Sequence, residues 1–297
     1  MPNVKANGIQ IEYDTFGKKS SPPMLLISGL SCQMVCWDEA LCKKLASKGF
    51  FVIRFDNRDI GLSEKFDEAG LPNISEVITV SLMGGRVKVP YTLDDMADDA
   101  LGLLDVLGIE KAHFCGFSMG GMIAQAACIK APTRVISLAS IYSSTGDPML
   151  ANPTPEAQRV LFTPPPRDKE GFIAHFLDTH RTLSGSGFPF DEAWHRKTGE
   201  QSFNRSPYAK GVARQFAAIV ASGDRTRRLR TLETPTLVVH GTEDPLIPVL
   251  CGKETASAIP DSELMLIDGM GHDLPHDGAW PDIIEAVSRN AKQAMAN

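Results

Sequence analysis

The stretch from Lys111 to Lys130 restricts the possible folds more than any other. An apolar run, Ala112-His113-Phe114-Cys115, breaks at Gly116-Phe117-Ser118-Met119-Gly120 and resumes as Gly121-Met122-Ile123-Ala124-Gln125-Ala126-Ala127. This is the pattern of a strand, a sharp turn and a helix. The G-x-S-x-G spacing lifts a serine hydroxyl clear of a sheet edge. A turn that tight strains the serine backbone and brings strand and helix so close that side chains at positions 116 and 120 would collide, hence glycine. The helix directs its free N-H groups and positive end at the turn, favouring negative charge beside Ser118. Taken alone, five residues also fit a glycine-rich helix start in which Ser118 merely caps. The flanking strand and helix favour the exposed hydroxyl.

The rest of the chain has the same rhythm. Asn7 to Phe16 alternates with Ile9, Ile11 and Tyr13 on one face, predicting an antiparallel edge strand. Met24 to Ile27 and Phe50 to Phe55 are short apolar runs expected of strands buried on both faces. Between them, Trp37, Leu41 and Leu45 predict a helix over 37–48, with Gly49 as its C-terminal cap. Asp56-Asn57-Arg58-Asp59-Ile60-Gly61-Leu62-Ser63 follows a strand end, where ligands bind in open α/β sheets, but Asp-Arg clusters also lock loops by internal hydrogen bonds. Locking is the favoured reading. Glu64 to Val89 reads as a long loop with about one helical turn, and such a loop often covers a site. Thr92 and Asp95 open a helix whose apolar stripe runs from Leu93 to Leu107, and Gly108 ends it. Arg134 to Tyr142 supplies another strand.

From Gly146 to about Arg230 strand-like runs vanish, and Phe172, Ile173, Phe176, Leu177, Phe216, Ile219 and Val220 recur at helical spacing. This predicts a helical insertion, residues 146–230, in a core made of residues 1–145 and 231–297. Sheet rhythm returns at Thr236 to His240 and at Leu264 to Ile267, with helices expected over 249–258 and 281–295. Strands alternating with helices imply a mostly parallel sheet between helical layers.

The formal net charge of -6 and the lack of a strong basic run make nucleic acid and anionic membrane surfaces poor partners. A small molecule is the expected partner. No stretch is apolar enough to span a bilayer, and residues 1–13 lack the apolar core of a signal peptide. The six cysteines, Cys32, Cys36, Cys42, Cys115, Cys128 and Cys251, lack the spacing of zinc or redox motifs and read as reduced thiols of a cytoplasmic protein. Cys32 and Cys36 lie near a candidate site loop, where a structural role is favoured.

A serine hydroxyl needs a base, normally a histidine oriented by a carboxylate. Asp244 follows the strand that ends at His240, and His272 follows the strand that ends at Ile267, so both belong at the sheet edge that would expose Ser118. Their order, serine, acid, histidine, is that of nucleophile-elbow hydrolases. Glu243, Asp273 and Asp147 are rival acids, and His276 is the rival base. His113 and His240 lie in strands and read as structural. His175, His180 and His195 lie in the insertion, where solvent-facing and substrate-facing roles both remain open. Donors for an oxyanion are expected from the backbone N-H groups of Met119, after the serine, and Leu30, after Gly29.

Five motifs together, Ser28-Gly29-Leu30 with Trp37, Phe55 to Ser63, Gly116 to Gly120, Gly241 to Asp244, and Gly269 to His272, resemble the α/β-hydrolase superfamily over nearly the full length. The resemblance implies an α/β fold with a mostly parallel sheet flanked by helices and a helical cap inserted after the sixth strand. The superfamily's usual histidine in the first motif is here Ser28. Within the insertion, Leu183-Ser184-Gly185-Ser186-Gly187-Phe188-Pro189-Phe190-Asp191 is similar to the cap of the aclacinomycin methylesterase group and related bacterial carboxylesterases. That similarity implies ester hydrolysis through an acyl-enzyme, with no cofactor and no metal. The apolar insertion points to a lid that favours small to medium hydrophobic esters. Amide and carbon-carbon bond hydrolysis by the same three residues, or ligand binding without turnover, are the alternatives.

Overall fold

A computed structural model describes residues 2–150 and 152–296. In chain order the elements are β1 (Asn3–Ala6), β2 (Ile9–Phe16), β3 (Pro23–Ile27), α1 (Glu39–Ser47), β4 (Phe51–Phe55), α2 (Ile74–Leu82), α3 (Leu93–Val106), β5 (Ala112–Phe117), α4 (Met119–Lys130) and β6 (Val135–Ile141). They continue with α5 (Pro155–Phe162), α6 (Lys169–Leu183), α7 (Glu192–Arg205), α8 (Ala209–Ser222), α9 (Thr226–Leu229), β7 (Thr236–Gly241), α10 (Val249–Ala258), β8 (Glu263–Ile267) and α11 (Ala279–Ala296). The strands form one eight-stranded sheet in the order β1-β2-β4-β3-β5-β6-β7-β8. β2 runs antiparallel to both its neighbours, and the other pairings are parallel.

The parallel strands read as apolar runs because both their faces are covered. Successive residues point to opposite faces, so Ile53 joins the core beneath α3 and α4 while Val52 joins the core beneath α1 and α11. α3 starts where Thr92 and Asp95 form a reciprocal capping box, an arrangement whose cap contributes about 1 kcal/mol.

Three expectations need correction. The alternating stretch 7–16 is not one edge strand. Asn7 and Gly8 both take positive φ, at 49° and 81°, and form a two-residue hairpin turn whose backbone twist suits antiparallel strands. β1 is therefore the edge and β2 an inner strand. The helix expected from Trp37 begins at Glu39, because the Asp38 side chain accepts the Ala40 N-H and caps it, while Trp37 is buried in the core. The loop 64–89 contains the nine-residue α2, capped by Asn73.

The chain leaves β3 for β4 on one side and reaches β5 on the other. Such a reversal opens a crevice beyond the carboxyl ends of the two central strands. Ser28-Gly29-Leu30 leaves β3 there and Ser118 leaves β5 there, with Ile27 and Gly116 directly paired. The chain from 142 to 235 contains no strand among the described residues, and α5 to α9 occupy it. Among the described residues no helix is long and apolar enough to cross a membrane.

Candidate active site

Ser118 stands between β5 and α4 with φ 55° and ψ −125°, a conformation a non-glycine residue adopts only under constraint. The constraint comes from glycine packing. A Cβ on Gly116 would lie 2.2 Å from the Gly120 carbonyl oxygen, and one on Gly120 would lie 2.0 Å from that of Ile27. Each distance is far inside contact, so strand, helix and the β3 loop meet backbone to backbone. The Ser118 N-H donates to the Ile141 carbonyl at 2.9 Å, and its own carbonyl accepts from Ser143 Oγ at 2.8 Å.

His272 and Asp244 reach this point from the ends of the last two strands. His272 Nε2 lies 3.0 Å from Ser118 Oγ, and His272 Nδ1 lies 2.7 Å from Asp244 Oδ2. An ionised carboxylate only accepts hydrogen bonds, so Nδ1 carries the ring proton and Nε2 is the acceptor facing the serine. Asp244 Oδ1 accepts the N-H groups of Leu246 and Ile247 at 2.9 and 2.8 Å. His240 Nε2 donates to the Ile247 carbonyl at 2.7 Å and lies 3.5 Å from Asp244 Oδ2. Burial pushes the Asp244 carboxyl up, but His272 and His240 together outweigh it and hold the group below its ordinary value. The Tyr142 ring lies 4.6 Å from the His272 ring and itself packs on Phe117, which packs on Trp37. This aromatic row fixes one side of the imidazole.

The rival residues are held by other partners. Glu243 is bound by Ser186, through both its N-H and its Oγ. Asp273 accepts from Ser184 Oγ at 2.9 Å, and burial lifts its carboxyl to about 6. Asp147 accepts the Met149 N-H. His276 stacks on Trp194 and pairs with Asp191 and Asp277. His113 is bonded to Ser137, and burial pushes it down to about 4.

Gly29 is the close-approach residue of the β3 loop, since a Cβ there would lie 3.0 Å from Ser118 Cβ. Leu30 and Met119 thus flank the serine, and among the described residues neither N-H donates to a protein acceptor. Ser28 Oγ is buried without a partner, so it does not brace this loop. Asn57 does, donating from Nδ2 to the Ser28 carbonyl at 2.9 Å, and Gln215 Oε1 accepts the Ser31 N-H at 3.2 Å. Sequence reasoning missed Gln215, whose only signal is its place on an amphipathic helix of the insertion. The cluster 56–63 locks as expected. Asp56 accepts the Met34 and Leu62 N-H groups and pairs with Arg205, Arg58 pairs with Asp99, and Asp59 pairs with Arg214.

A cavity of about 620 Å³ opens above Ser118 and His272. Its far walls are contributed by Phe176, His180 and Phe216 of the helical segment, with Leu30 and Met119 at its base. All six cysteines are free thiols, and Cys36 reaches the cavity wall. A half-buried serine in hydrogen-bonded sequence with a buried histidine and aspartate, at the floor of an apolar cavity, can transfer a proton from its hydroxyl as it attacks a carbonyl carbon.

The chain belongs to the alpha/beta hydrolase fold family, whose model matches residues 22–279. It is similar to the rhodomycin D methylesterase DauP of Streptomyces sp. (strain C5), with 27% identity over 92% of each chain. It is also similar to 3-oxoadipate enol-lactonase 2 of Acinetobacter baylyi, with 25% identity over 96% of each. Among solved structures, the enol-lactonase of Burkholderia xenovorans LB400 shares the fold, with a TM-score of 0.70, 23% identity and full coverage of both chains. A putative aryl esterase from Burkholderia cenocepacia shares it with a TM-score of 0.77 at 17% identity, covering 100% of this chain and 99% of that one.

Proposed function

We propose that the protein is a carboxylic ester hydrolase in which Ser118 is the nucleophile, His272 the base and Asp244 the group that orients it. The observation that carries this reading is His272 bridging Asp244 at 2.7 Å and Ser118 at 3.0 Å. Ser118 Oγ attacks the ester carbon as His272 Nε2 takes its proton, and the oxyanion is held by the N-H groups of Met119 and Leu30. His272 returns the proton to the alcohol oxygen as the C-O bond breaks, leaving an acyl-serine. Water, deprotonated by the same Nε2, attacks that acyl group, and the acid departs with Ser118 restored. Residues 146–230 act as a cap over a core of residues 1–145 and 231–297. The apolar lining supports small to medium hydrophobic esters. Relatives named as methylesterase and enol-lactonase favour ester-type bonds over amide or carbon-carbon bonds.

The test combines p-nitrophenyl butyrate turnover with labelling by a serine-reactive fluorophosphonate. The wild type should turn over the ester and carry the adduct on Ser118. Ser118→Ala should lose about 10⁴-fold or more in kcat and the adduct with it, at an unchanged melting temperature. A Ser118→Ala protein that keeps its turnover overturns the proposal.

A further inference from the structure

One polar side chain in the cavity wall packs by its ring but leaves both ring nitrogens unused. His180 sits on α6, and its ring is clamped between Phe176, with centroids 4.2 Å apart, and His195, 4.8 Å away. Its backbone carbonyl accepts from Ser184, but among the described residues no protein group hydrogen-bonds either ring nitrogen. Nor is either nitrogen sealed from the interior space, in contrast to His195 Nδ1 and Thr179 Oγ1, which are buried without partners. His180 lines the same cavity as Ser118 and His272, so its nitrogens are open to whatever occupies that cavity. Burial pushes the ring down to about 3, and the His195 and His272 rings push the same way. The imidazole is therefore neutral at working pH, with one N-H donor and one nitrogen acceptor.

Its place relative to the reacting atoms follows from α6. Leu183, at the end of that helix, accepts the His272 N-H at 2.7 Å. His180 is three residues earlier, on the same helical face and about one turn away. In the mechanism above, His272 Nε2 delivers a proton to the alcohol oxygen, so the alcohol portion of an ester lies on the His272 side of the scissile carbon. The His180 ring lies near enough to the His272 ring to feel its charge, which puts it on that side of the cavity. The surrounding wall also limits the charge of a ligand. Among the described residues that line the cavity, Asp147 and Asp273 are acidic and none is a lysine or arginine. An anionic group would gain no counter-charge there and would face two carboxylates.

Resting on the ester hydrolase reading, we infer that His180 is a specificity-determining residue that hydrogen-bonds an uncharged polar group, such as a hydroxyl, carried on the alcohol portion of the substrate. A site built to pair with a hydroxyl discriminates against the analogue lacking it, because the protein group is then left unpaired. The substrate class is thus an uncharged ester of a hydroxylated alcohol.

The experiment compares 2-hydroxyethyl butyrate with its isostere propyl butyrate by pH-stat, in the wild type, His180→Phe and His180→Gln. Both esters pass through the same butyryl-enzyme, so a contact to the alcohol acts on acylation alone. His180→Phe keeps the ring packing and removes both nitrogens. It should lower kcat/KM for the hydroxyethyl ester about tenfold, leaving propyl butyrate and the rate of butyryl-enzyme hydrolysis within about twofold of wild type. His180→Gln, which restores a donor and an acceptor, should recover part of the preference. An equal loss on both esters, an unchanged preference, or slower hydrolysis of the butyryl-enzyme would overturn the inference. If His180→Phe does not fold by circular dichroism, His180→Leu carries the same comparison. Failure of the wild type to turn over any ester, with no fluorophosphonate adduct on Ser118, would instead refute ester hydrolysis itself.

Discussion

Replacing Asp244 with asparagine isolates the contribution of one proton position. The new side chain is the same size, and its oxygen can keep the bonds from the Leu246 and Ile247 N-H groups that Asp244 Oδ1 accepts at 2.9 and 2.8 Å. The amide nitrogen then faces His272 Nδ1 across the 2.7 Å now spanned to Oδ2. Two N-H groups cannot share that contact, so the imidazole shifts its proton to Nε2 and presents a donor to Ser118 where an acceptor is needed. The base is lost although every heavy atom stays in place. The expected fall in kcat is about 10⁴-fold, equivalent to about 5.4 kcal/mol of transition-state stabilisation at 1.36 kcal/mol per factor of ten. The fold loses one charge-assisted hydrogen bond, about 1.5–3 kcal/mol, and keeps the loop anchors. Initial rates on p-nitrophenyl butyrate measure the first quantity and urea denaturation the second. A variant within tenfold of wild-type kcat would refute the reasoning, and a comparable collapse in Asp273→Asn alone would move the acid's role to Asp273.

Asp273 also offers a pH test of stability. Its rise from 3.8 to about 6 means that between those pH values the native protein holds a proton the unfolded chain has released, so stability falls as pH rises. The rise corresponds to on the order of 3 kcal/mol at pH 7.5. Asp273→Asn should therefore be more stable than wild type in urea at pH 7.5, with the gap closing by pH 4; a gap independent of pH would contradict this. Arg214→Leu leaves the fully buried Asp59 with the Tyr91 hydroxyl and Phe66 N-H as donors but without its counter-charge, which Arg214 now supplies through two bonds of 2.8 Å. Losing one partner of such a pair costs about 3–5 kcal/mol, read from the denaturant midpoint, and Arg214→Lys, which keeps the positive charge, should lose less.

Much of the site could be read from sequence because its parts are local. The glycines of 116–120 encode a turn within five residues, and Asp244 and His272 each follow a recognisable buried strand. The capping pair Thr92 and Asp95 and the helix Val249–Ala258 are equally local. The hairpin at Asn7-Gly8 escaped because alternation continues across the turn, and the positive φ that breaks the strand is a property of two residues rather than of the pattern. α2 escaped because Val77, Ile78, Thr79 and Val80 favour strand over helix, and packing against α8 overrides that preference. The brace of the β3 loop was out of reach. Asn57 and Gln215 act on it from 29 and 184 residues away, and no local rule assigns such pairs.

The link between α6 and α7 bears on how this cavity can be re-engineered. Gly187 donates to the Gly269 carbonyl at 2.9 Å. A Cβ on Gly185 would lie 2.1 Å from that same oxygen, and one on Gly187 would lie 2.7 Å from Gly269 Cα. With the Leu183 carbonyl on the His272 N-H, this forms a seam where two backbones touch with no room for side chains. A mutagenesis library that samples positions 185 and 187 would spend those codons on proteins with a displaced histidine loop. Productive diversity lies in the walls that meet the cavity through side chains, at Phe162, Phe172 and Phe216, where volume can change without disturbing the proton-transfer geometry.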